Sequence, residues 1–254
     1  MLLNYGSRRR FLAGLGAAPL AARAAADQNK DKLPLVSKRL EKAFLAPGNK
    51  PNALQAVPDG LWILDQESPN KVHKVRYQDG SVLVDLLTES QGGSGITYGD
   101  GALWIASTLT LKILKVDPKT GKTLASFDTP GAGKPRFGPP RGDRGAHGLE
   151  WVNGKYWVAV PPADAIYQIE PNTGKVLHRI PGPGTRSHGL AWADGHLWCV
   201  ETFDRAIYKI DPTDGRLVAK IQITKQDPGL HGLTYAKGVF WYCDADSHWV
   251  CRLV

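Results

Sequence analysis

The sequence predicts an all-β fold, a β-propeller of five four-stranded blades whose N-terminal strand closes the last blade. Three observations predict it. A tryptophan recurs at Trp62, Trp104, Trp157, Trp198 and Trp241, at intervals of 42, 53, 41 and 43 residues. The segments leading to it share landmarks: "HGLEWVNGKYWVAV" from His147, "HGLAWADGHLWCVE" from His188, "HGLTYAKGVFWYCD" from His231, "SGITYGDGALWIAS" from Ser94 and a shorter "QAVPDGLWILD" from Gln55. Self-similarity at this period marks a repeat architecture. The last copy also stops one strand short, and the N-terminal segment from Glu41 aligns with the missing strand.

Residues 1–26 read as a twin-arginine signal peptide. "SRRRFLAG" from Ser7 resembles the Ser/Thr-Arg-Arg-x-Phe-Leu-Lys export motif, with Ala13 in place of the lysine. A weakly apolar stretch from Phe11 to Ala22 follows, too short to span a bilayer, and Ala24 or Ala26 offers a cleavage site. The expected location is therefore the periplasm or outside the cell, with no stable membrane insertion after cleavage. Residues 27–40 read as a linker and residues 41–254 as the propeller. Six blades is the alternative count, should residues 27–50 hold further strands.

Each copy parses into four strands, as the one at His188 illustrates. "HGLAWA" is a first strand, Asp194–Gly195 a tight turn of residues that tolerate positive φ, and "HLWCVE" a second strand. "AIYKID" from Ala206 is a third, "DPTDG" reverses the chain, and "RLVAKIQI" from Arg216 is a fourth. Four antiparallel strands in 40–50 residues is the size of a propeller blade. The recurring tryptophans are expected to fill the wedges between blades.

Composition excludes several classes. The net charge is +8, but Arg8, Arg9, Arg10 and Arg23 lie in residues 1–26, which hold no acid, leaving +4 beyond them. No basic stripe with interleaved aromatics points to nucleic acid. No serine nucleophile elbow, phosphate loop or dinucleotide fingerprint is present. The expected partner is a small polar or anionic molecule, and the expected state is a monomer. Of three cysteines, Cys243 and Cys251 flank a predicted hairpin, where a disulfide and two buried thiols are both open readings; Cys199 reads as a core residue.

The first strand of a propeller blade lines the central channel, and the second returns to the same mouth. Two repeated positions are therefore expected to converge there. One holds Gln55, Ser94, His147, His188 and His231; the other, three residues after each Trp, holds Asp65, Ser107, Val160, Glu201 and Asp244. Imidazole beside carboxylate is a ligand set for a divalent cation, or a base with its orienting partner. The long interval before Trp157 holds "TPGAGKPRFGPPRGDRGA" from Thr129 to Ala146. It leads into His147 and reads as a basic lid over the mouth, with Arg136 and Arg141 facing an anionic or polar ligand. His73, His178, His196 and His248 read as surface or packing residues.

"SHGLAWADGHLWCVET" from Ser187 resembles the "PHGI…DGxLWFTE" repeat of streptogramin (virginiamycin B) lyases, a style shared by gluconolactonase and NHL-type propellers. The resemblance spans nearly all of residues 55–254. It implies a divalent ion at the mouth, Mg, Ca or Zn, held by His147, Glu201 and Asp244. It also implies His188 or His231 as the base that opens a cyclic ester, so a carbon–oxygen lyase or lactonase. Glu201 corresponds to the Glu of that motif, and His188 and His231 to its His. The segment from His147 is also similar to plant-type glutaminyl cyclases, five-bladed propellers. Their "LYEST" aligns with "LWIAS" from Leu103, so their catalytic glutamate falls on Ile105. A non-catalytic binding or scaffold propeller is the remaining reading.

Overall fold

The computed structural model describes residues 29–139 and 141–254. The twin-arginine segment, residues 1–26, lies outside them. Strand β1 (Leu40–Leu45) comes first but is outermost in the last blade. Blade one holds β2 (Pro51–Val57), β3 (Gly60–Asp65), β4 (Lys71–Val75) and β5 (Val82–Leu87). Blade two holds β6 (Gly93–Gly99), β7 (Ala102–Ser107), β8 (Lys112–Val116) and β9 (Thr123–Asp128). Blade three holds β10 (Leu149–Val152), β11 (Lys155–Val160), β12 (Ala165–Ile169) and β13 (Val176–Pro181). Blade four holds β14 (Ser187–Ala193), β15 (His196–Glu201), β16 (Ala206–Ile210) and β17 (Leu217–Gln222). Blade five holds β18 (Leu233–Ala236), β19 (Val239–Cys243) and β20 (Trp249–Leu253). Five antiparallel four-stranded sheets result, so the five-blade count holds and six does not.

Closure follows the expected route. β1 pairs with β20, with Glu41 opposite Arg252, and the two side chains form an ion pair. β1 thus covers the outer edge of β20 and joins the two ends of the described chain in one blade. The described part of the 27–40 stretch is itself tied down. Lys220 in β17 donates to the Pro34 carbonyl at 2.9 Å and accepts from the Val36 N–H at 2.8 Å. Lys30 adds an ion pair to Asp204 at 2.6 Å. The outer edge of blade four thus gains a short extra partner for its unpaired backbone groups.

The recurring tryptophans sit where the repeat predicts, buried in clusters that combine two neighbouring blades. Trp157 packs with Leu190, Leu197 and Tyr208 of blade four, and Trp241 with Leu54 and Ile63 of blade one. The hairpin turns between first and second strands of blades two, three and four show the left-handed pair that Asp-Gly and Asn-Gly supply: Asp194 and Gly195 have φ of 49° and 73°.

The "HG" dipeptide has a steric cause. First strands meet so closely at the axis that a Cβ on Gly148 would strike the His188 carbonyl oxygen, and one on Gly95 the His147 carbonyl oxygen. The Gly189 N–H donates directly to the His231 carbonyl at 2.9 Å. The centre is therefore packed backbone, and the residues before these glycines floor a cup at one end. The cysteine question also has a geometric answer. All three thiols are free, and Cys251 stands opposite Tyr242 while Cys243 stands opposite Val250. Neighbouring ladder rungs point to opposite sheet faces. Cys243 accordingly packs in the wedge toward blade one and Cys251 in the wedge toward blade four.

Candidate functional site

The mouth opens into a pocket of about 530 Å³ lined by His147, His188 and His231 together with Lys50, Arg141, Arg144, Arg186 and Arg205. The three imidazoles come from consecutive blades and meet edge to face. The ring centroids are 4.5 Å apart for His147 and His188, and 5.3 Å for His188 and His231. All three are buried. Burial is the first cause that pushes each one toward its neutral form. His147 falls to about 3 and His231 to about 4, with the Arg186 charge next in both, and His188 falls well below the usual imidazole value. The Ala245 N–H donates to His231 Nδ1 at 3.3 Å, which places the ring proton on Nε2. His147 Nδ1 and His188 Nδ1 are buried with no hydrogen-bond partner.

The fourth and fifth members of this ring are Ser94 and Asn52. Ten residues separate each of His147, His188, His231 and Ser94 from its tryptophan; ten residues before Trp62 stands Asn52, not Gln55. Asn52 is buried, lines the pocket and leaves Oδ1 without a partner. Gln55 instead lies opposite Trp62, three residues deeper. Its amide accepts from Thr97 Oγ1 at 2.8 Å and donates to Thr234 Oγ1 at 3.3 Å, so it belongs to the channel interior rather than the mouth. Ser94 is in the ring, but Gln66 Nε2 donates to its hydroxyl at 2.9 Å.

The second repeated position has a different task. Glu201 accepts from the backbone N–H groups of Arg186 and Asp204, both at 2.8 Å. Asp65 accepts from the N–H groups of Asn49 and Lys50, Ser107 from that of Gln91, and Asp244 from that of Asp246. Gln91, Arg186 and the Asn49–Lys50 pair lie in loops entering first strands, so in blades one, two and four these side chains staple the loop to the sheet. The residues expected to hold a divalent ion therefore do not fit one. Glu201 and Asp65 are occupied by the backbone, and Asp244 lies 3.8 Å from His231 but also takes Ser247 Oγ. Among the described residues no group of three or more His, Cys, Asp or Glu side chains comes together as a ligand set.

The lid divides. Arg141 lines the pocket as expected, whereas Arg136 turns outward into an ion pair with Asp164, beside a separate basic cleft. Phe137 carries the lid inward: its ring meets Phe203 edge-on at 5.9 Å, with the Arg186 guanidinium over both rings. Arg186, Arg205, Asn52 and Phe203 escaped sequence reasoning. For Asn52 the constant spacing to the tryptophan was the missed signal. His73, read as unremarkable, is buried within ion-pair distance of Asp65 and Asp85.

The sequence matches no protein-family model and no curated protein. In fold the chain is a five-bladed propeller similar to Myxococcus xanthus glutaminyl cyclase, with a TM-score of 0.67 at 12% identity, covering 87% of this chain and 97% of that one. It is also similar to Staphylococcus aureus virginiamycin B lyase, with a TM-score of 0.49 at 18% identity, covering 82% of this chain and 67% of that one. At such identities the likeness is one of architecture, and function rests on the site itself.

Proposed function

We propose that the protein is an exported, monomeric propeller that binds a small polar molecule in the mouth pocket, with the histidine arc as its floor. The observation that carries this is the set of buried, uncharged imidazoles lining a 530 Å³ cavity with unmet hydrogen-bonding capacity. Buried polar atoms are nearly always paired in folded proteins. Several orphans on the residues that line one cavity are what a ligand drawn into that lining would satisfy. His231 offers an Nε2–H donor. The "SRRRFL" segment supports export through the twin-arginine route.

The test is binding by the mature chain, read by calorimetry against a panel of small polar compounds, with His188→Asn and His231→Asn beside it. Both variants should lose at least tenfold in affinity for whichever compound binds. Unchanged affinity in both would overturn the reading. Export is tested by fusing residues 1–26 to a folded reporter; replacing Arg8 and Arg9 with Lys should stop it.

A second reading is an elimination or lactone-opening enzyme with His188 or His231 as base. It is supported by the uncharged, unpartnered Nδ1 of His188. An imidazole held this far below neutrality is a weak base until a bound anion raises it. Turnover of a lactone panel that disappears in His188→Asn would favour this reading, and chelator sensitivity of that turnover would restore a metal to it.

A further inference from the structure

We infer that Arg186 and the lid residue Arg141 form a paired guanidinium clamp for the oxyanion of a small organic acid, with Phe137 as the post that holds both. The inference rests on the pocket reading above and names its ligand class.

Five cationic side chains line the pocket, and three are already engaged. Lys50 pairs with Glu67 at 3.0 Å. Arg144 donates to the carbonyls of Gly142 and Asp143. Arg205 donates to the carbonyls of Thr224, Asp227 and Pro228. Arg186 and Arg141 differ. Among the described residues, neither has a carboxylate within ion-pair distance nor a side-chain hydrogen bond. Both instead stack on Phe137, Arg141 at 4.9 Å and Arg186 at 5.5 Å from the ring centre, with Phe203 5.1 Å from Arg186.

Stacking on a ring face attracts a cation but leaves its N–H donors unmet. Arg186 shows this directly, since its Nε is buried without a partner. Burial and then the neighbouring Arg141 charge disfavour its protonated form, and Glu201 and Asp246 offset only part of this from beyond ion-pair distance. The imidazoles beneath are neutral and compensate nothing. Two like charges held against one ring, over an uncharged floor with orphaned donors, is an arrangement that a carboxylate or phosphate completes. Either anion presents the planar or tripodal oxygens that guanidinium forks bind bidentately. The exposed Leu109 side chain on the same lining gives the organic body an apolar wall. Arg141 and Phe137 belong to the 129–146 insertion and Arg186 to the loop entering blade four, so the anion would also tie the lid to the ring.

The experiment uses the mature chain at low ionic strength, where such contacts are least screened. Benzoate and inorganic phosphate are the probes, read by melting shift and calorimetry. At least one probe should raise the melting temperature. Arg186→Ala should abolish the effect, Arg141→Ala should weaken binding about tenfold, and Lys119→Ala, a surface charge control, should leave it unchanged. Binding of benzoate alone identifies a carboxylate, and binding of phosphate alone a phosphate. Failure of both probes on the wild-type chain overturns the clamp, while binding of neutral polar compounds would still uphold the pocket. Retained probe binding in Arg186→Ala but loss in His188→Asn also overturns the clamp and spares the pocket. Should Arg186→Ala fail to fold, phenylglyoxal labelling of the wild type decides. Modification of Arg186 should slow at least fivefold with the probe present, and absence of protection overturns the inference.

Discussion

Two rings of side chains lie three residues apart on the five inner strands or, for His147 and His231, just before them. The mouth ring is Asn52, Ser94, His147, His188 and His231. The deeper ring, each member opposite its blade's tryptophan, is Gln55, Thr97, Glu150, Ala191 and Thr234. The deeper ring is knitted into its neighbours. Thr97 Oγ1 accepts from the Trp151 N–H at 2.9 Å, Thr234 Oγ1 from the Ala56 N–H at 3.1 Å, and Glu150 from the Trp192 N–H. Each donor lies on the following blade, so these side chains stitch the ring together. The mouth ring is left more open, with orphan atoms on Asn52, His147 and His188, against Glu150 Oε2 alone in the deeper ring. The lesson is that polarity at a repeated position does not mark a site; unmet hydrogen bonds on cavity-lining residues do.

The largest effects that could break this contrast come from pH, and the two rings have opposite signs. Burial lowers His147 from 6.5 to about 3, so the unfolded chain takes up a proton that the folded one refuses. Stability tied to it is present above about pH 6.5 and is lost as pH falls toward 3. Burial raises Glu150 from 4.5 to about 8, so the folded chain keeps a proton that the unfolded one releases. Its stability is full below about pH 4.5 and is lost as pH rises toward 8. The displacement from 6.5 to about 3, like that from 4.5 to about 8, corresponds to roughly 5 kcal/mol as an upper figure. Urea denaturation of His147→Asn, which copies the blade-one residue, should flatten the acid limb. Glu150→Gln, which keeps an acceptor for Trp192, should flatten the alkaline limb and stabilise the chain most at pH 8. Equal slopes in wild type and both variants would refute the assignment of neutral groups.

The glycine between the rings comes next. Gly148→Ala sets a methyl group against the His188 carbonyl. Overpacking against backbone that cannot yield should cost about 3 kcal/mol. It should also splay blades three and four, so ligand binding falls with stability. A melting shift of only a degree or two would mean that the axis is looser than its contacts imply.

The architecture was legible because a tryptophan wedge and a core-facing alternation each have one cheap physical solution, repeated five times, and an Asp-Gly or Asn-Gly turn marks the hairpin in blades two, three and four. The histidine arc was legible for the same reason, since register alone carries His147, His188 and His231 to one mouth. What escaped was whatever depends on satisfaction rather than position. Glu201 and Asp244 stand near the mouth in register, yet backbone donors, the distant Arg186 among them, claim their oxygens. Arg136 and Arg141 share one loop, and only a partner on blade three, Asp164, separates the outward residue from the inward one. Gln55 was placed at the mouth because a proline-containing copy looked shortened, although Asn52 keeps the spacing to Trp62.

The smallest effect is the most direct comparison of the rings. Thr97→Val keeps shape but strips the acceptor of the Trp151 N–H and the donor to Gln55 Oε1. Both groups stay buried and unpaired, which should cost about 2 kcal/mol at pH 7. His188→Asn in the mouth ring removes a ring whose Nδ1 bonds to nothing, and at pH 7 it should cost about 1 kcal/mol or less, chiefly from lost packing. The two variants, measured by urea denaturation in the same buffer, set a structural ring against a functional one. A cost for His188→Asn equal to or above that of Thr97→Val would make the histidine arc part of the scaffold, and the mouth pocket would then lose its claim to be a site.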